Sequence, residues 1–104
     1  MTGFVHPRKE DITLAAVLGA LSDPMRLKIL KKLVDTGDGS LSCSGASPCP
    51  DMAKSTLSHH FRVLREAGLI RTRKRGVSHL NIVRWDEVNE RFPGLLETIM
   101  RSHA

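Results

Sequence analysis

The chain has 104 residues, enough for one modest domain. Hydrophobic residues make up 40% and aromatics only 4%, so the core must be mostly Leu, Ile, Val, Met and Ala. Lys and Arg number 16 against 11 acids, a net charge of +5 that suits a polyanionic partner.

The longest apolar stretch, Leu14 to Leu21, is interrupted by Gly19 and falls far short of the roughly 20 residues that span a bilayer. No membrane partner is expected, and no signal-peptide cleavage pattern stands in the right place. Two cysteines cannot make a disulfide framework, which points to a reducing cytosol.

Met1 to Glu10 have no periodicity and read as a flexible N-terminal arm, with one domain over 11–104. A helix is expected from Asp11, which suits an N-cap, because Leu14, Val17, Leu18 and Leu21 fall at i, i+3, i+4 and i+7. Ser22-Asp23-Pro24 stops it and starts a second helix with a wide apolar stripe, ended by Gly37 and Gly39. Gly37 to Pro50 reads as a loop of small residues. Lys54 to Gly68 is the strongest helix, with Leu57, Phe61, Leu64 and Ala67 at helical spacing and Gly68 as its stop. Leu69 to Val83 reads as a hairpin turning at Gly76. Ile70, Thr72 and Lys74 alternate with arginines, and Leu80 and Ile82 alternate on the return. Trp85, Val88, Phe92, Leu95, Leu96 and Ile99 form a last helical stripe, broken in two by Pro93.

The fold class is therefore mainly α with a small β-hairpin. A helix that ends in glycine and runs straight into a basic hairpin is the arrangement of a winged helix-turn-helix. Charge supports this reading. Residues 54–84 hold eight cations (Lys54, Arg62, Arg65, Arg71, Arg73, Lys74, Arg75, Arg84) against one acid, Glu66, while the remainder is net negative. Such a patch suits phosphates. Rotation by 100° per residue puts Leu57, Phe61 and Leu64 on one side of the third helix and Ser55, Ser58, His59, Arg62 and Glu66 on the other. Two hydroxyls, an imidazole and a guanidinium can read base edges in a major groove. His60 falls toward the apolar side, as a hydrogen-bonded, partly buried residue. Arg65 lies at the edge, suited to a phosphate or a carboxylate.

Ala20-Leu21-Ser22-Asp23-Pro24-Met25-Arg26-Leu27-Lys28-Ile29-Leu30 and the run Lys54-Ser55-Thr56-Leu57-Ser58-His59-His60-Phe61-Arg62-Val63-Leu64-Arg65-Glu66-Ala67-Gly68-Leu69-Ile70 resemble the ArsR/SmtB family of bacterial transcriptional regulators, over about residues 12 to 101. The resemblance implies a homodimeric winged-helix repressor that binds double-stranded DNA at an inverted repeat and is released by a signal the sequence does not identify, a small-molecule or redox effector being open. It implies Lys54, Ser55, Thr56, Ser58, His59, Arg62 and Arg65 at the DNA from the recognition helix, and Arg73, Lys74 and Arg75 at the phosphates or minor groove from the wing. It also implies dimerisation through the first and last helices, by Leu14, Val17, Leu18, Leu21, Phe92, Leu95, Leu96 and Ile99.

The chain departs from the family's pattern in three ways. Neither a Cys-x-Cys motif nor a paired Asp, His and Glu set is intact, so no metal and no cofactor is expected. The helix before the recognition helix is cut to about one turn. Cys43 and Cys49 lie six apart in the loop, read as inert thiols with a redox switch as the alternative. An enzyme is not expected, because there is no Gly-rich phosphate loop, metal set or paired carboxylates. An RNA-binding or protein-interaction module is a weaker alternative, since the basic region has only Phe61 for stacking.

Overall fold

The computed structural model describes residues 4–37, 41–49 and 51–102. A 3₁₀ turn, Lys9–Asp11, precedes helices α1 (Leu14–Leu21) and α2 (Pro24–Thr36). A two-residue strand β1 (Leu41–Ser42), helix α3 (Lys54–Glu66), strands β2 (Ile70–Arg75) and β3 (Ser78–Val83), and helices α4 (Trp85–Arg91) and α5 (Leu95–Ser102) follow.

The helix boundaries follow from local chemistry. The Asp23 carboxylate accepts the Met25 N–H at 2.8 Å with Pro24 at the first helical position. Gly37, at φ +75°, donates its N–H to Leu33 O at 3.0 Å and closes α2. Gly39 lies outside the described residues. The cap of α1 is Thr13, whose hydroxyl accepts from Ala16 N at 3.2 Å, and not Asp11, which ends the 3₁₀ turn. Ile12, extended between the two, turns its side chain into the core at 1% exposure. Pro93 and Gly94 separate α4 from α5 as the sequence predicts, and the Gly94 N–H donates to Asn89 Oδ1 at 3.1 Å.

Three expectations change. The described part of the arm, from Phe4 on, is docked: the His6 ring accepts the Thr72 N–H at 2.9 Å, Pro7 O accepts from Arg84 Nη1 at 2.8 Å, and Phe4 packs edge-on against His79. The segment thereby covers part of the open edge of β2, whose unpaired amides would otherwise face water.

The loop carries β1, which pairs antiparallel with β3 to give a three-stranded sheet of order β1-β3-β2. The alternation on the return strand is also inverted. Asn81 is buried and Ile82 is exposed, because Thr72 Oγ1 donates to Asn81 Oδ1 at 2.8 Å across the inner face. Asn81 Nδ2 then reaches Leu41 O at 3.3 Å, tying β1 to the hairpin. A buried polar pair that satisfies itself can occupy an inner position that the pattern reserves for Leu.

The core is one cluster in which Leu57, Phe61 and Leu64 of α3 join Ile29, Leu30 and Leu33 of α2. This fixes which side of α3 faces outward. No helix among the described residues is long and apolar enough to cross a membrane.

Candidate nucleic-acid interface

Helix α3 has a clean division. Leu57, His60, Phe61 and Leu64 are buried, while Lys54, Ser55, Thr56, Ser58, His59 and Arg62 are all exposed. Its N-cap is Ala53, which has no capping side chain, so the first amides point outward as donors. Arg62 Nη2 lies 3.4 Å from His59 Nδ1, which draws these two side chains together on the outer face.

His60 is buried at 7% exposure, with Nδ1 3.4 Å from Arg26 Nη1. Burial, with Arg26 nearby, lowers its pKa against the pull of Asp23. It is a neutral structural imidazole joining α2 to α3. Phe61 is 1% exposed and unavailable for stacking on a base.

The one helical turn expected over Cys49 to Lys54 is not found among the described residues; a hydrogen-bonded turn at Cys43–Ala46, closed by Ala46 N–H to Ser42 O at 3.0 Å, stands between β1 and α3 instead. Ala46 is fully buried and props the unit from below.

The hairpin turns through Gly76, at φ +61°, and Val77 at negative φ, the two-residue geometry that matches strand twist. Arg73, Lys74, Arg75 and Val77 project as an exposed tip.

The eight cations divide in two. Arg84 is buried and held by Glu87 at 2.9 and 3.0 Å. Arg71 shares the same carboxylate at 3.2 Å. Arg65, which the sequence places at the DNA, is half-buried with its guanidinium 4.5 Å from the Phe4 ring centre, a cation–π contact that turns it into the molecule. Lys54, Arg62, Arg73, Lys74 and Arg75 make no ion pair among the described residues. Five unneutralised cations thus stand on α3 and the adjoining wing.

Of the residues expected at a dimer interface, Val17, Leu21 and Leu96 belong to the chain's own core, at 0%, 9% and 1% exposure. A side chain with almost no accessible surface cannot touch a second copy, so these three leave the set. Leu14 and Leu18 are exposed at 45% and 47%, and Phe92, Leu95 and Ile99 are half-buried at the core's edge.

Cys43 and Cys49 are both free thiols. Burial pushes the Cys43 thiol up, and Asn81 Nδ2 lies 3.5 Å from its sulfur. A raised thiol is a poorer nucleophile at neutral pH, so the redox reading gains no support.

Sequence reasoning missed Phe4, which meets Arg65 of α3, His6, which ties the arm to β2, and Thr72 and Asn81, which tie the hairpin to β1. No local pattern marks them. The pKa of His6 is lowered by burial, with Arg71, Arg84 and Arg65 nearby. Because the neutral ring accepts the Thr72 amide, the stabilisation is complete above about pH 6.5 and is lost as pH falls through the lowered value. The Thr72 amide is expected to lose hydrogen-exchange protection as pH is lowered below about 6.5, relative to amides inside the hairpin. Equal loss at all of them overturns this account of the arm.

The pattern of a family described as "Helix-turn-helix domain" matches residues 21–73. An HTH-type transcriptional regulator of Bacillus subtilis, YceK, is 38% identical over 92 residues, covering 88% of this chain and 91% of the relative. An ArsR-like transcriptional regulator from Rhodococcus sp. RHA1 superposes with a TM-score of 0.60 at 27% identity, over 85% of this chain and 76% of that one. A homodimeric winged helix-turn-helix DNA-binding domain from Mycobacterium bovis, a possible ArsR-family regulator, gives 0.66 at 25% identity, over 99% of this chain and 93% of its own. Motifs, fold and relatives agree: the chain belongs to the ArsR family of winged helix-turn-helix transcriptional regulators, which are not enzymes.

Proposed function

We propose that the chain is a sequence-specific DNA-binding repressor that acts as a homodimer on an inverted repeat. The observation that carries this is the outer face of α3. Ser55, Ser58, His59 and Arg62 stand together there, and the unpaired cations Arg73, Lys74 and Arg75 follow on the wing.

The helix supplies base-edge readers and the wing supplies phosphate grip, which together make a sequence-specific contact. Lys54, Thr56 and the first amides of α3 add backbone contacts at the groove's lip. Arg65 contributes its charge to the field while Phe4 holds its guanidinium. Leu14 and Leu18, with Phe92, Leu95 and Ile99, offer an apolar surface for a second copy, as the homodimeric mycobacterial relative supports. A two-fold dimer places its two α3 helices about one helical turn apart, ~10–10.5 base pairs, or a multiple of it. A dimer seated on such a site blocks access to the DNA beneath it.

The test is selection of bound duplexes from random DNA, followed by titration of two variants. Arg62→Ala is expected to cost about 1–3 kcal/mol and to relax preference at one position per half-site. Lys74→Ala is expected to weaken all sequences alike and to lower the salt slope by about one for each phosphate left unneutralised. Recovery of no preferred duplex, or of single-stranded RNA in preference to duplex DNA, overturns the reading.

A further inference from the structure

A cleft of about 590 Å³ opens between the C-terminal end of α2, the base of the hairpin and the start of α4, a size suited to a small organic molecule. Its apolar wall is formed by Leu33, Val34, Ile82, Val83 and Trp85, with Arg71 beside them. Neither α1 nor α5 contributes to it, so a dimer built on those helices leaves it open. Ile82 is 41% exposed, a large apolar side chain turned outward by the inverted alternation of β3. It stands directly opposite Arg71 in the strand register, so the guanidinium and the apolar side chain are neighbours on one face of the sheet.

The charges around the cleft define what it can take. Glu87 accepts from Arg84 at both carboxylate oxygens, 2.9 Å to Oε1 and 3.0 Å to Oε2. Arg71 reaches only the Oε1 that Arg84 already occupies, at 3.2 Å. Glu87 is therefore satisfied without Arg71, and the Arg71 side chain is half-exposed with no other partner among the described residues. Two guanidiniums share one carboxylate here, and a guanidinium suits a second planar carboxylate. Asp86 stands exposed in the lining and disfavours a ligand with two negative charges.

We propose that this cleft binds an aromatic monocarboxylate, its ring against Trp85 and Ile82 and its carboxylate on Arg71, and that the ligand is the effector that releases the regulator from DNA. The effector role rests on the DNA-binding reading above; the binding itself does not. Arg71 adjoins Thr72, whose amide holds the arm, and lies two residues before Arg73. A ligand that draws Arg71 away from Glu87 moves the base of the wing, and with it the cations that grip the phosphates. Such a ligand binds the DNA-free form better and must by linkage weaken DNA binding.

The experiment uses the full chain and 2-naphthoate as probe, with 2-naphthylmethylamine and naphthalene-2,6-dicarboxylate beside it. Trp85 is the one tryptophan, so a single indole N–H resonance reports occupancy without any DNA present. 2-Naphthoate is expected to shift that resonance saturably, and the amine and the dicarboxylate to bind more weakly. Arg71→Gln is expected to weaken 2-naphthoate by roughly tenfold or more, the factor for a lost charge-assisted hydrogen bond. Val34→Phe, which fills the cleft and leaves every charge in place, is expected to weaken it as well. Circular dichroism of both variants checks that they keep the parent's fold.

In a second titration, saturating 2-naphthoate is expected to lower the parent's affinity for its selected duplex at least about fivefold. It is expected to leave Val34→Phe unmoved. Failure of 2-naphthoate to bind, equal binding by Arg71→Gln, or tighter binding of the amine overturns the site. Binding with unchanged duplex affinity overturns the effector role and leaves the repressor reading standing. If no duplex is selected at all, the repressor reading fails while the indole titration still decides the cleft.

Discussion

Replacing Gly68 with alanine is expected to lower the stability of the fold by about 2–4 kcal/mol. Gly68 sits at φ +85° immediately after α3. Its N–H donates to Arg65 O at 2.9 Å, and the next N–H, of Leu69, donates to Leu64 O at 3.1 Å. This is the paired closure of a helix C-terminus that requires a left-handed residue. A side chain in that conformation costs about 1 kcal/mol. Space adds a second penalty, because a Cβ at this position would lie 2.5 Å from Ile12 Cγ1 and 2.8 Å from its Cδ1. Ile12 is buried at 1% exposure, so it can yield only by repacking, which costs about 1–3 kcal/mol.

Gly76→Ala is the control. It has a similar φ of +61° with nothing near its Cβ position, and should lose only the conformational part. Urea unfolding of both variants decides the matter. Equal midpoint shifts would mean that Ile12 moves aside freely. The larger loss at Gly68 also bears on function, since this residue sets the angle at which the wing leaves α3.

The parts of this fold legible in the sequence are those whose cause is local. The apolar face of α3, the Asp23-Pro24 start of α2 and the break at Pro93 each rest on residues within one or two turns of one another. The outer face of α3 was legible for the same reason, since it is what remains once the core face is assigned.

Pairings between distant segments were not legible. His6 meets Thr72 across 66 positions, and Asn81 meets Leu41 across 40. Neither end of either pair carries a pattern that points to the other. The return strand failed differently. Period-two alternation states that two faces exist, but not that Thr72 and Asn81 could satisfy each other on the inner one. The alternation of Leu80 and Ile82 does not say which face is the inner one, and Ile82 stands at the cleft.

The apolar stripes of the end helices posed a further ambiguity. On α1, Val17 and Leu21 face inward while Leu14 and Leu18 remain outside. A helix that packs on its own core and also offers a surface to a second copy shows one broad stripe, and its sequence does not draw the line between the two uses. In the same way, a count of cations does not separate Arg84 and Arg65, which hold the molecule together, from Arg73, Lys74 and Arg75 at the wing's tip.

Removal of the Arg84 side chain is expected to cost about 1.5–3 kcal/mol, because it removes the buried donor of a charge-assisted pair whose carboxylate is itself partly exposed and still paired with Arg71. Arg84 is 2% exposed at its side chain and joins three parts of the chain: Glu87 of α4 by two bonds, Pro7 O of the arm at 2.8 Å, and, through Glu87, Arg71 of β2. In Arg84→Ala the Glu87 carboxylate keeps only the longer contact to Arg71, and Pro7 O loses its donor. The arm should loosen, with the Thr72 amide less protected as a result.

A second signature separates this from a simple packing loss. Arg84, by hydrogen bonding and then by charge, together with Arg71 holds the Glu87 carboxyl at about 2, against 4.5 for an ordinary glutamate. The folded state therefore prefers the ionised form. The stability this contributes is fully present above about pH 4.5 and is lost as pH falls toward about 2. The difference in urea midpoint between the parent and Arg84→Ala should accordingly be largest near pH 6 and shrink at about pH 3. Glu87→Gln should be flatter than the parent over the same range, since it lacks the titrating group. A gap between parent and Arg84→Ala that stays constant from pH 6 to pH 3 would assign the loss to the missing aliphatic stem, and the charge triad would have no part in holding arm, wing and α4 together.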